Sequence, residues 1–113
     1  PEYINGLTLL GGEPFEPENQ RVLLPFLQRV KKRFPQKTIW IYSGFTLEEL
    51  EKKGSYAHCE ATAPILELAD VLVDGRFIEA QKDISLRFRG SSNQRLIDLN
   101  RTRLSGDLVL WDA

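Results

Sequence analysis

Gly6-Leu-Thr-Leu-Leu-Gly-Gly-Glu-Pro14 is the stretch on which the fold turns. Leu7, Leu9 and Leu10 form a short, nearly all-apolar run, the pattern of a buried strand. The run breaks at Gly11-Gly12, where the backbone is free to take positive φ and to approach a ligand closely. A carboxylate, Glu13, and the rigid Pro14 follow. A buried strand ending in Gly-Gly-acid-Pro puts backbone groups and one charge at the carboxyl end of a sheet, where open α/β folds bind small molecules. From these residues alone a tight turn without a ligand is the plainer reading, because Gly-Gly pairs are common loop punctuation.

Composition sets the bounds. At 113 residues, with 42% hydrophobic and 27% charged residues, the chain suits one modest domain with a real core. Its formal net charge of −1 makes no case for nucleic-acid or membrane attraction. The apolar runs fall far short of a membrane span, and no secretory signal is visible. The single cysteine, Cys59, allows neither an internal disulfide nor a cysteine-built metal cage. One free thiol fits a cytoplasmic setting. The chain opens on Pro1, contains no methionine and reaches its first strand within a few residues. It therefore reads as part of a longer protein, with elements expected before Pro1.

Beyond Pro14 the periodicity changes. Val22, Leu23, Phe26, Leu27, Val30 and Phe34 recur at helical spacing. Pro25 lacks an N–H and crowds the preceding turn, so the helix is expected to begin only shortly before it. Lys31-Lys32-Arg33 suit the helix C-terminus and read as a solvated face. Thr38-Ile-Trp-Ile-Tyr42 is a second strand ending in Ser43-Gly44. Thr46-Leu-Glu-Glu49 is a capping box opening a short helix that Gly54 closes. His58 and Cys59 are adjacent, so they rarely face one metal, and read as structural. Pro64–Ala69 is a short helix and Asp70–Asp74 a third strand, ending in Asp74-Gly75. The alternation predicts an α/β fold with parallel strands. In the tail, Leu86–Arg89, Arg95–Asp98 and Asp107–Trp111 read as short extended segments.

Three stretches in order, Leu10-Gly-Gly-Glu-Pro14, Val71-Leu-Val-Asp-Gly-Arg-Phe77 and Arg89-Gly-Ser-Ser-Asn-Gln94, go further, with Ile39-Trp-Ile-Tyr-Ser-Gly-Phe45 as a fourth. With them the chain, from Gly6 to Trp111, resembles the activating enzymes of anaerobic (class III) ribonucleoside-triphosphate reductases, a branch of the radical S-adenosylmethionine superfamily. The resemblance implies a partial (βα) barrel of parallel strands, of which residues 1–113 would be the C-terminal portion. It implies two cofactors, S-adenosylmethionine and a 4Fe-4S cluster held by three cysteines before the Gly-Gly-Glu-Pro turn. It implies reductive cleavage of S-adenosylmethionine to a 5′-deoxyadenosyl radical, which abstracts hydrogen from a glycine of the reductase large subunit. A reduced donor such as flavodoxin would supply the electron.

Carried over residue by residue, the resemblance makes Gly11, Gly12 and Glu13 the groups that contact the methionyl ammonium, which turns the balance from bare turn to ligand site. An ammonium needs carbonyl or carboxylate acceptors in a sheltered site. Ser43, Gly44 and Asp74, at the ends of the next strands, are assigned to the cofactor surroundings, with helix-entry or capping turns as their alternatives. Arg89 and Asn93 brace the last segment or position the partner's glycine loop. No catalytic residue and no metal ligand is assigned within the chain, because the cysteine loop is absent from it. By itself the polypeptide is expected to be inactive. The alternatives are an activase of another glycyl-radical enzyme, such as pyruvate formate-lyase, and a non-catalytic, cluster-less module binding a nucleoside or a protein.

Overall fold

A computed structural model describes Gly6–Leu9 and residues 12–111. In chain order it contains β1 (Gly6–Leu9), α1 (Pro17–Arg33), β2 (Thr38–Tyr42), α2 (Leu47–Glu51), α3 (Thr62–Leu68), β3 (Val71–Asp74), a 3-10 turn (Glu79–Gln81), β4 (Arg95–Asp98) and α4 (Leu99–Ser105). The four strands form one sheet in the order β1-β2-β3-β4. β1, β2 and β3 run parallel, with Leu7 beside Ile39 and Ile41 beside Leu72. This is the α/β arrangement that the alternating pattern predicts. Leu10 and Gly11 lie outside the described residues.

β4 departs from the expected parallel set and runs antiparallel to β3, Asp74 opposite Arg95. The cause is the connection. β1, β2 and β3 are joined by helices that carry the chain back to the start of the sheet, as parallel pairing demands. Between β3 and β4 there is only a loop with a 3-10 turn, so the chain re-enters from the end at which it left. The described sheet is thus open rather than closed into a barrel.

The two faces of the sheet differ. Ile39, Ile41, Leu72 and Ile97 are fully buried under the helices, with Leu27 of α1 and Ile65 of α3. Each such side chain contributes about 1.5–3 kcal/mol by leaving water. Alternation sends Trp40 of β2 to the opposite face. There it meets Phe88 and Trp111 edge to face, with ring centroids 5.2 and 4.9 Å away. The extended end of the chain covers the outer side of β4, through Asp98 N–H to Val109 O at 2.9 Å and Trp111 N–H to Leu96 O at 2.8 Å.

Three local expectations change. α1 does not start near Pro25 but at Pro17, and it continues through Pro25 to Arg33. An interior proline costs about 3 kcal/mol. Leu23, Leu24, Leu27 and Val30, all packed on the core, outweigh that cost, and Pro25 itself is exposed. Residues 86–88 bend rather than extend, and Phe88 has φ of 67°. Between the last two extended segments sits an unexpected helix, α4, which Asp98 caps by accepting from Arg101 N–H and which ends at left-handed Gly106.

Candidate functional site

The Glu13 carboxylate joins the ends of β1 and β2. Its Oε2 accepts from Phe15 N–H at 2.9 Å and from the Ser43 hydroxyl at 2.8 Å. Its Oε1 accepts from Gly44 N–H at 2.7 Å. An ionised carboxylate offers about four lone-pair sites, so roughly one stays free. All three donors are neutral. Among the described residues no cation reaches ion-pair distance of Glu13. The site is a half-buried carboxylate held by neutral donors, with no counter-ion among the described residues.

The loop after β2 is shaped for this contact. A Cβ on Gly44 would sit 3.4 Å from Glu13 Oε1, in contact with the acceptor. Ser43, buried, also accepts from Phe45 N–H at 3.0 Å, which sets its hydroxyl toward Glu13. Gly12, by contrast, is exposed, and a Cβ on it would meet nothing within 4 Å. Around Glu13, Ser43 and Gly44 lies a cleft of about 320 Å³ at the carboxyl ends of the strands, walled also by Tyr42, Phe77 and Gln94. Small-molecule sites have such volumes and such a place in the fold. Burial holds the Tyr42 phenol above its ordinary range, so it stays neutral.

Asp74 lies beside this cleft but spends its carboxylate elsewhere. It is 1% exposed. Its Oδ2 accepts from Leu47 N–H at 2.7 Å, at the start of α2. Arg95 grips both oxygens, Nε to Oδ1 at 3.0 Å and Nη2 to Oδ2 at 2.6 Å. The same guanidinium binds Glu48 on α2. The two carboxylates hold Arg95 still more firmly protonated, and the Arg95 bond keeps Glu48 below its usual range. Here Asp74 ties β3, β4 and α2 together.

The Arg89–Gln94 stretch packs against the residues after β3. Arg89 donates to Gln94 O, and Asn93 to Arg76 O at 2.7 Å. Gln94 Oε1 accepts from Gly90 and Ser91 N–H, while its Nε2 donates to Gly75 O at 3.0 Å. A Cβ on Gly90 would meet the Phe77 ring at 3.0 Å. Phe77, Gln94 and Tyr42 as cleft walls, and Arg95 as a clamp, were not apparent from the sequence. The packing of Arg89–Gln94 against Gly75–Phe77 is the signal that pairs two of the stretches singled out by resemblance.

The comparisons with known proteins point the same way. The family described as a 4Fe-4S single cluster domain matches residues 1–97. The chain belongs to that family. It is similar to the anaerobic ribonucleoside-triphosphate reductase-activating protein of Haemophilus influenzae, 48% identical over 89 residues, which are 79% of this chain and 52% of that protein. Proteins with the same name from Vibrio cholerae and Escherichia coli are 44% and 40% identical over 89 residues, 79% of this chain and 52% and 53% of theirs. The chain spans about half the length of these curated relatives. No solved structure matches.

Membership names a cluster, but the residues present do not fit one. Iron–sulfur clusters are held by several cysteine thiolates. The chain has one cysteine, and the Cys59 thiol donates to Gln20 Oε1 at 3.4 Å. Among the described residues no three His, Cys, Asp or Glu side chains gather. His58 bonds Leu50 O through Nδ1 instead. These 113 residues do not supply a cluster's ligands. An amine ligand, in contrast, fits the uncompensated Glu13 carboxylate and its Gly44 cradle. Among the described residues no helix is long and apolar enough to cross a membrane.

Proposed function

We propose that the intact protein is the cytoplasmic activating enzyme of an anaerobic ribonucleoside-triphosphate reductase, and that residues 1–113 form the C-terminal portion of its radical S-adenosylmethionine domain. In this reading it forms a glycyl radical on the reductase large subunit at the expense of S-adenosylmethionine, with an electron from a reduced donor such as flavodoxin. The observation that carries the reading is the Glu13 carboxylate, held at a strand-end cleft by three neutral donors and, among the described residues, without a cation at ion-pair distance.

The role of these residues is binding. Glu13 would accept from the methionyl ammonium, a charge-assisted bond of the stronger kind. Ser43 and Gly44 would keep its oxygens aimed, and Gly11-Gly12 would leave space for the ligand's approach. Asp74 would act on the cleft indirectly, by anchoring α2 and therefore the Ser43–Thr46 turn.

The test is calorimetric titration of the intact protein with S-adenosylmethionine, for wild type and Glu13→Gln, alongside electron paramagnetic resonance of the reductase after activation. Binding weakened at least tenfold, with the wild type producing the glycyl-radical signal, is expected. Equal affinity for both proteins, or radical formed only on pyruvate formate-lyase, rejects the assignment. The single cysteine favours a second reading for the 113 residues taken alone, a cluster-less binding module. Iron and sulfide reconstitution that gives no cluster absorption in this polypeptide, but retained nucleoside or protein binding, would support it.

A further inference from the structure

Residues 76–95 carry five basic side chains, Arg76, Lys82, Arg87, Arg89 and Arg95, against two acidic ones, Glu79 and Asp83, in a chain whose net charge is −1. Three of the five, Arg87, Arg89 and Arg95, line a second cleft, about 260 Å³, on the face of the sheet away from the helices, while Arg76 pairs with Glu49. Its walls are Phe88, Leu96, Leu110 and Trp111, and its rim is Arg87, Arg89 and Arg95. Arg95 is neutralised by Asp74 and Glu48. Arg87 and Arg89 have no carboxylate within ion-pair distance among the described residues. Arg87 lies over the Phe88 ring, 5.1 Å from its centroid, and Arg89 bonds only main-chain carbonyls. Asp83, which feels the Arg89 charge, bonds Ser85.

The backbone gives an independent sign. Phe88 is the one described non-glycine residue with positive φ, 67°. An aromatic side chain there costs about 1–3 kcal/mol, and such strain persists where the surroundings enforce it, commonly at binding surfaces. Phe88 is enforced by Trp40 and Trp111, yet stays 42% exposed. Leu110 beside it is 56% exposed. Apolar surface rimmed by uncompensated arginines suits a protein contact.

We propose that this cleft docks an extended segment of the protein substrate in which an acidic side chain stands next to an apolar one. The apolar residue packs on Phe88, Leu110 and Trp111 while Arg87 and Arg89 hold the carboxylate. A nucleic acid is disfavoured because the three rings pack edge to face on one another, at 4.9–5.7 Å, leaving few faces for bases to stack on. The location is apt. Arg89 donates to the main-chain O of Gln94, a wall of the Glu13 cleft, so the two clefts are joined through neighbouring residues Gln94 and Arg95. The inference rests on the functional reading above, in which the substrate is a protein.

The test uses the intact protein and purified anaerobic ribonucleoside-triphosphate reductase, with affinity measured at several salt concentrations for wild type, Arg87→Glu and Arg87→Lys. Thermal midpoint and affinity for S-adenosylhomocysteine report on the fold and the Glu13 cleft. Arg87→Glu should weaken reductase binding at least tenfold and flatten its salt dependence, Arg87→Lys should stay within about threefold, and both should keep the midpoint and nucleoside affinity. Wild-type binding that Arg87→Glu leaves unchanged overturns the surface alone. Loss of S-adenosylhomocysteine affinity in Arg87→Glu assigns the cleft to the small ligand and overturns it too. A wild type that binds S-adenosylhomocysteine but not the reductase overturns the functional reading itself.

Discussion

The Ser43 hydroxyl donates to Glu13 Oε2 across 2.8 Å and 30 residues of chain, fastening the turn after β2 to the turn after β1. The same oxygen of Ser43 accepts from Phe45 N–H, so one hydroxyl orders both turns. Ser43→Ala removes an acceptor and a donor from a buried position. A loss of about 1–3 kcal/mol in urea unfolding is expected. Weaker binding of nucleosides that carry the methionyl α-amine should accompany it, with binding of methylthioadenosine, which lacks that amine, unchanged.

Gly44 sets a second limit. The methyl of Gly44→Ala falls 3.4 Å from Glu13 Oε1, in close van der Waals contact with the carboxylate. The expected stability change is small, under about 1 kcal/mol, because no backbone strain is involved. Ligand affinity should fall further than stability does. An alanine variant binding S-adenosylhomocysteine as tightly as wild type would show that the cradle is not used.

Arg95 and Asp74 test the clamp between β3, β4 and α2. Arg95→Met leaves a carboxylate that is 1% exposed without its partner. Removing one member of a buried pair costs about 3–5 kcal/mol, a large part of a small domain's stability. Chemical denaturation should show that loss, and the double variant Arg95→Met with Asp74→Leu should recover part of it. Equal midpoints for wild type and Arg95→Met would show that the pair contributes nothing.

Gly90 is occupied from outside, by the Phe77 ring. With 3.0 Å between a Cβ and the ring, Gly90→Ala forces the ring aside, at about 1–3 kcal/mol. In a Phe77→Ala background the same change should cost almost nothing, a coupling that a double-mutant cycle measures directly. Additive costs would place the strain elsewhere.

Acid should loosen the Glu48–Arg95 contact. The Arg95 hydrogen bond lowers the Glu48 carboxyl, first among its causes, from an ordinary value of 4.5. A carboxyl held lower in the folded chain adds stability that is present above the ordinary value and lost as pH falls through the depressed one. With the Glu48 side chain 66% exposed, the contribution is below about 1 kcal/mol after solvent screening. Between pH ~5 and ~3 wild type should lose slightly more stability than Glu48→Gln. Parallel pH curves for the two proteins would contradict the assignment.

Much was determined by local chemistry. The β-branched and aromatic run Thr38–Tyr42, the Thr46–Glu49 capping box and the apolar run Val71–Val73 each specify one element from within a few residues, and each is present. The strand–helix alternation then prescribes the parallel β1-β2-β3 order, because a helical crossover returns the chain to the same end of the sheet. Glu13, Ser43 and Gly44 were legible as strand-end residues for the same reason, and they do meet.

The rest depended on contacts between distant segments, which no local pattern carries. The length of α1 was decided by how much apolar surface it buries, enough to absorb Pro25 in its interior. The direction of β4 followed from a connection lacking a helix. The commitment of Asp74 to Arg95 and Leu47 came from pairing across 21 and 27 residues, whereas the sequence by itself determined only that a carboxylate ends the strand. The seat of Phe77 on Gly90, and the gathering of Trp40, Phe88 and Trp111, are likewise tertiary. A residue's type and spacing settle which element it joins; which charge it neutralises or which ring it supports is settled by packing.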